Sequence, residues 1–252
     1  MSIRRLFLQQ AQAVANTDFI IEVKTDNAGT SLDTQFTIPT TTGTYLYDVT
    51  TSDGQSINGN TGNLTITFPS AGTYDINISG LFPQIYFNNG GDKLKLIGIK
   101  NWGNNPWASM SRAFYGCRSL VSVSATDIPD LSSVPSVAFI FRDILANPDI
   151  TNWDVSSVTN FRDAFNNADG FDRSFANWDI NQGTNFTFFC ASMALSTANY
   201  DATLISWAAQ APNPNEATSF GSSKYTLGGA AETAKNTLIN TYGWTIIDGG
   251  GI

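Results

Sequence analysis

The chain contains no histidine, only two cysteines and few charges (13% of residues), and each shortage closes off a line of chemistry. Without histidine there is no Ser-His-Asp or Cys-His nucleophile system, and the commonest zinc ligand and general base is missing. The 13 lysines and arginines form no sequence cluster larger than the pair Arg4-Arg5. Nucleic acid requires a cationic stripe that displaces counterions, so no nucleic-acid partner is expected. No apolar run approaches the roughly 18 residues of a membrane span, so no membrane insertion is expected. The opening "MSIRRLFLQQAQAV" holds too short an apolar stretch for a signal peptide and is read as unprocessed. Phosphate-binding and dinucleotide glycine motifs are absent as well, and no cofactor is expected.

What is present is turn chemistry and periodicity. Of 21 acidic residues all but Glu22, Glu216 and Glu232 are aspartate, which belongs in turns and caps rather than in helices. From residue 18 to about 80, short alternating stretches ("FIIEVKT", "TQFTIP", "YLYDVTT", "NLTITFPSAGTYDINISG") are separated by turn signals such as Asp53-Gly54. That punctuation predicts an all-β sandwich. Beyond Leu81 a repeat takes over. "NWDVSSVTNFRDAF" at 152–165 is echoed by "NWDINQGTNFTFFC" at 177–190. Met110, Val137, Phe161 and Phe186 align at spacings of 27, 24 and 25 residues, with Phe114, Phe141, Phe165 and Cys190 four residues later. Val158, Phe161, Phe165 and Ala168 follow one face of a short helix, and "DITNWDV" before them alternates like a strand. Strand, turn and helix in about 25 residues predict a solenoid of stacked coils, each the floor of the next. "YDATLISWAAQ" and "AAETAKNTLINTYG" predict two helices and "WTIID" a last strand.

The stretch "WDVSSVTNFRDAFNNADGFDRSFANWDI" resembles the repeat of the BspA-like leucine-rich-repeat surface proteins. "YLYDVTTSDG" through "ITFPSAGTYDINISG" is similar to a PKD-like β-sandwich. The expected fold is therefore mainly β with short helices. An N-terminal docking arm (1–17) precedes a PKD-like β-sandwich (18–80), a leucine-rich-repeat-type solenoid of about four coils (81–198) and an α/β C-terminal cap (199–252). The resemblance implies a protein that is displayed on bacterial surfaces or carried by phages and that binds other proteins or cell surfaces without catalysis.

Four sets of residues are candidates for function. Trp102, Trp107, Trp153 and Trp178 form either an aromatic ladder for sugars or a protein partner, or a packing series, as the repeat period favours for Trp153 and Trp178. Arg4, Arg5, Leu6 and Phe7 lie in an amphipathic stretch that could dock a virion carrier protein or a second copy. Asp130, Asp154 and Asp179 recur at turn positions, where capping explains them better than a glycosidase pair does. Asp26, Asp33 and Asp53 supply oxygens for calcium but match no EF-hand spacing. Cys117 and Cys190, about 14 Å apart if three strand spacings separate them, are expected to stay unpaired. The expected function is a non-catalytic recognition or adhesion protein on a virion surface, contacting a host surface protein or glycan. The alternatives are display on a bacterial cell surface, a purely structural or decoration subunit and, remotely, a glycan-cleaving enzyme.

Overall fold

The computed structural model describes residues 17–252. The docking arm, with Arg4, Arg5, Leu6 and Phe7, lies outside the described residues, Thr17 excepted. A six-stranded sheet opens the fold, with β1 (Phe19–Lys24), β3 (Leu46–Thr51), β4 (Ser56–Asn60), β6 (Thr73–Leu81), β7 (Leu96–Asn101) and β8 (Ser122–Val123) in the order β4-β3-β6-β1-β7-β8. β1 runs antiparallel to both β6 and β7, whereas β7 and β8 are parallel, so the sheet is mixed. Strand alternation places Phe19, Ile21, Val23, Tyr47, Val49, Ile76 and Ile78 in the core. β2 (Gln35–Ile38) and β5 (Leu64–Thr67) form a separate antiparallel pair, whose Phe36, Ile38 and Ile66 join the same apolar cluster.

A buried pair of opposite charges ties the loop before β2 to the segment before β7. The Asp92 carboxylate accepts hydrogen bonds from the backbone amides of Thr30 (2.8 Å), Ser31 (2.9 Å) and Thr37 (2.7 Å). The Lys95 ammonium donates to the carbonyls of Ser31, Leu32 and Gln35 and to the Ser31 hydroxyl. Both side chains are fully enclosed, so these bonds replace the water each group has lost.

The PKD-like sandwich is not there. One sheet is mixed and recruits β7 and β8 from beyond residue 81, and the second layer amounts to a two-stranded pair. Nor does the repeat region build a leucine-rich-repeat-type solenoid. Between β8 and α1 (Thr197–Ala209) the described residues form no helix and no strand, only the single parallel bridges Ser136↔Asn160 and Asn160↔Asn185.

The backbone explains why. Asp163 and Asn167 are left-handed (φ 54° and 57°), as are Arg112, Phe139, Asp143, Phe188 and Ser192 at matching positions, and no α-helix continues through such a residue. The amides of Phe161, Asp163, Phe165 and Asn167 donate to the carbonyls of Asn185, Thr187, Phe189 and Ala191 in the next repeat, not to residues four back. Residues between them close tight turns, for example Ala164 N–H to the Phe161 carbonyl. The same pattern joins 110–116 to 136–142 and 137–143 to 160–166. Val158, Phe161, Phe165 and Ala168 are all buried, as their spacing predicts, but on a chain of turns rather than on a helix.

The buried rings stack from one rung of hydrogen bonds to the next: Phe114 on Phe141 (5.6 Å), Phe141 on Phe165 (5.7 Å) and Phe161 on Phe186 (4.9 Å). At the C-terminal end, α1 and α2 (Ala230–Asn240) accompany a parallel pair of β9 (Ala217–Ser219) and β10 (Thr245–Ile247). Hydrogen bonds from Cys190 to Ser219 and from Phe220 to Ile247 carry the rungs on to that pair. Among the described residues no helix is long and apolar enough to cross a membrane.

Candidate functional site

The four tryptophans proposed as a binding ladder are interior. Trp102, Trp107 and Trp178 are 1% exposed and Trp153 is 3%, so no ring face is open to a sugar or a partner. Their work is packing. Trp102 meets Trp153 edge-on at 5.3 Å, and the Trp178 indole N–H donates to the Ile150 carbonyl one repeat earlier (3.1 Å). The Asn and Asp of the repeated phrase do reach the surface, where Asn152, Asp154, Asn177 and Asp179 line an open hollow of about 320 Å³.

The aspartates act as turn closers. Asp130, Asp149, Asp154 and Asp179 each accept the backbone amide two residues on, at 2.9 to 3.0 Å. Those bonds, with the Ser132, Thr151 and Ser156 side chains, hold Asp130, Asp149 and Asp154 below the usual carboxylate range. Of the calcium candidates, Asp26 pairs with Lys24, and Asp53 accepts from Thr51 and Gln55. Among the described residues no group of three or more His, Cys, Asp or Glu side chains is placed to share a metal ion.

A different set of side chains comes together on the repeats. The bridges align Phe139, Asp163 and Phe188, and all three are left-handed, as is Arg112 on the preceding rung. Phe139 lies between the buried Ala138 and Ile140, and Phe188, 49% exposed, precedes the buried Phe189, so both rings turn away from the core, whereas Asp163 is itself buried. For phenylalanine the left-handed conformation costs about 1–3 kcal/mol, and strain of that kind gathers where function requires it.

Three guanidiniums surround the Phe139 ring. Their central carbons lie 4.7 Å (Arg112), 5.5 Å (Arg142) and 5.8 Å (Arg162) from its centroid. Arg142 also covers Tyr115 at 5.2 Å, and Tyr115 and Phe139 sit 5.8 Å apart. Asp163, 2% exposed, neutralises part of this charge by accepting from Arg142 (2.9 Å), Arg162 (3.2 Å) and the Asn166 amide (2.7 Å). Asp143 stands 3.8 Å from the Arg142 Nε and accepts from Asn167. Three positive charges thus face two negative ones.

Among the described residues Arg112 has no ion pair or hydrogen bond from its guanidinium, and the buried Arg142 Nε has no hydrogen-bond partner. Like charges about 8 Å apart repel by roughly 2 kcal/mol at an effective dielectric of 20, against about 0.5–1 kcal/mol gained per exposed cation–π contact. The cluster is short of one anion. It offers fixed forked donors and ring faces, which suit the recognition of a carboxylate, sulfate or phosphate.

Reasoning from sequence missed this cluster. Arg112, Arg142 and Arg162 stand 30 and 20 residues apart, and only the rung register shows that they share a ring. The repeat alignment held the one usable signal, since it sets Arg112, two after Met110, beside Phe139, two after Val137.

No curated protein and no solved structure matches the chain. A family model does: the one described as "Mycoplasma protein of unknown function, DUF285" matches residues 85–222, more than half of the sequence, and spans every rung from Phe87 through β9 together with the guanidinium cluster. The chain belongs to the DUF285 family of Mycoplasma proteins of unknown function.

Proposed function

We propose that this chain is a non-catalytic recognition protein displayed on a surface, a phage virion component that contacts the host or a partner protein there. The observation that carries the proposal is the cluster of Arg112, Phe139, Arg142 and Arg162, left-handed at Arg112 and Phe139, with one more positive than negative charge on a chain of net charge −8. Arginine and aromatic side chains held rigidly at a surface are the residue types that anchor protein interfaces. Display outside the cell is supported by the resemblance of "WDVSSVTNFRDAF" to BspA-like surface proteins, which DUF285 membership fits.

The test uses antibody raised against the folded chain, applied to intact particles and intact cells of a producing culture. Labelling without lysis, and loss of particle attachment when Fab fragments cover the cluster, is the expected result. Labelling that needs lysis overturns surface display. Labelled particles that attach normally under Fab reduce the chain to a structural subunit.

A further inference from the structure

Next along the rungs from the guanidinium cluster is an apolar pocket of about 190 Å³, lined in part by Phe188, Ala217, Thr218, Thr245 and Ile247. Phe188 is 49% and Ile247 59% exposed, large fractions for apolar side chains of their size. Phe188 is also the left-handed counterpart of Phe139 two rungs on. Thr187, Thr218, Ser219 and Thr245 also line it, yet the surface it exposes is almost entirely apolar. Thr218 is 3% exposed, and its buried Oγ1 has no hydrogen-bond partner. Its side chain shares a face with Ile246, its partner on β10, opposite the face of Ala217, Thr245 and Ile247, so that hydroxyl points to the core and the pocket itself is bounded by apolar surface. The register places cluster and pocket in one line, because Phe139 aligns with Asp163 and Phe188, and the Cys190-to-Ser219 bond sets Thr218 beside Phe188.

We infer that this line is a two-part docking site for an extended acidic segment of a partner protein, with its carboxylates on Arg112 and Arg162 and one apolar side chain in the pocket beside Phe188. The inference rests on the recognition function proposed above and adds the chemistry of the partner. Charge complementarity favours an acidic ligand, since Arg112 is unpaired among the described residues and half of the Arg162 side chain is exposed. The pocket favours a peptide over a polysaccharide, because the surface it exposes is almost entirely apolar. Rungs lie about 4.8 Å apart, so cluster and pocket are separated by roughly 10–17 Å, or about three to five residues of extended chain. Basic segments are repelled by the cluster and do not suit it.

A labelled hexapeptide, Asp-Asp-Ser-Ser-Ser-Leu, matches that spacing and serves as the probe. It is titrated by fluorescence anisotropy against the full chain and against Arg112→Gln and Phe188→Ser, both at surface positions. Expected are saturable binding weakened by salt, a loss of about fivefold with Arg112→Gln and about tenfold with Phe188→Ser. Replacing the peptide's leucine by serine should cost as much as Phe188→Ser and should not add to it.

Binding that ignores Phe188 and the leucine overturns the two-part site but leaves recognition through the guanidiniums standing. A galacturonate oligomer that binds more tightly than the peptide and competes with it overturns the peptide in favour of an acidic glycan. A dimer in sedimentation that Phe188→Ser disperses assigns the face to a second copy instead. No binding of peptide or oligomer up to millimolar concentration overturns the inference outright.

Discussion

Truncating Phe165 to alanine tests whether stacked rings hold the repeats together. The ring is fully buried, with Phe171 at 4.4 Å, Phe175 at 5.1 Å, Phe141 and Phe189 at 5.7 Å and Trp178 at 6.0 Å between centroids. Its neighbours belong to the repeats before and after as well as to its own, each fixed by backbone bonds to the next rung, so the void cannot close by moving one segment. Phenylalanine truncation in a core costs about 3–5 kcal/mol, and a site that cannot collapse belongs in the middle or upper part of that range, about 4 kcal/mol. For a chain of this size each kcal/mol lowers the melting temperature by about 2–4 °C, so a drop of about 8–16 °C follows. Phe188→Ala is the control. Its ring is 49% exposed, and truncation should change stability by no more than about 0.5 kcal/mol. Urea unfolding followed by circular dichroism measures both variants. Equal losses for the two, or a Phe165→Ala loss below about 1 kcal/mol, would refute the stacked-ring account.

Acid should destabilise the fold in a defined window. Burial pushes the Asp92 carboxyl up, but the amides of Ser31 and Thr37 and the charge of Lys95 outweigh it and hold the group below its usual range, as turn bonds do for Asp130, Asp149 and Asp154. A depressed folded pKa contributes stability above the unfolded value of about 3.9 and loses it as pH falls through the folded values, so the urea midpoint should stay flat to about pH 5 and drop below pH 4. A midpoint that rises on acidification contradicts this. Cys117 and Cys190 are free and buried, and burial pushes both thiols well up, so a thiol reagent such as DTNB should react with neither in the native protein and with two in urea. All six tryptophans are at most 3% exposed, which predicts blue-shifted emission that iodide scarcely quenches; strong quenching would reopen the aromatic-ladder idea.

Burial was more legible in the sequence than backbone. The spacing of Val158, Phe161, Phe165 and Ala168 identifies core positions correctly, since one-sided burial follows from any chain that turns at about that rate. It does not say whether the turns are helical. Asp163 and Asn167 are of the residue types that tolerate left-handed φ, and that hint was available, but Phe139 and Phe188 adopt the same conformation with no sign in their chemistry. The helices α1 and α2 were plain because their amphipathic runs end at conventional breakers, Pro212 and Gly243. β7 and β8 were not, because a strand that joins a sheet from beyond the expected boundary is chosen by pairing partners far away in sequence. The guanidinium cluster shares that difficulty, being assembled by register alone.

Most of the bonds between repeats run one way, with only the amides of Thr159, Asn160 and Thr184 donating backward within 110–191. Met110, Arg112, Phe114 and Gly116 donate forward, as do Val137, Phe139, Phe141 and Asp143, and then Phe161, Asp163, Phe165 and Asn167. In ordinary strands successive peptide units face opposite sides and their dipoles largely cancel. Here they add from rung to rung, as they do along a helix axis, although these repeats contain no helix. The positive pole faces β10, the negative pole the rung that begins at Phe87. The stack therefore carries a built-in field along its length, which would orient an approaching anion toward its C-terminal end before any side chain touches it.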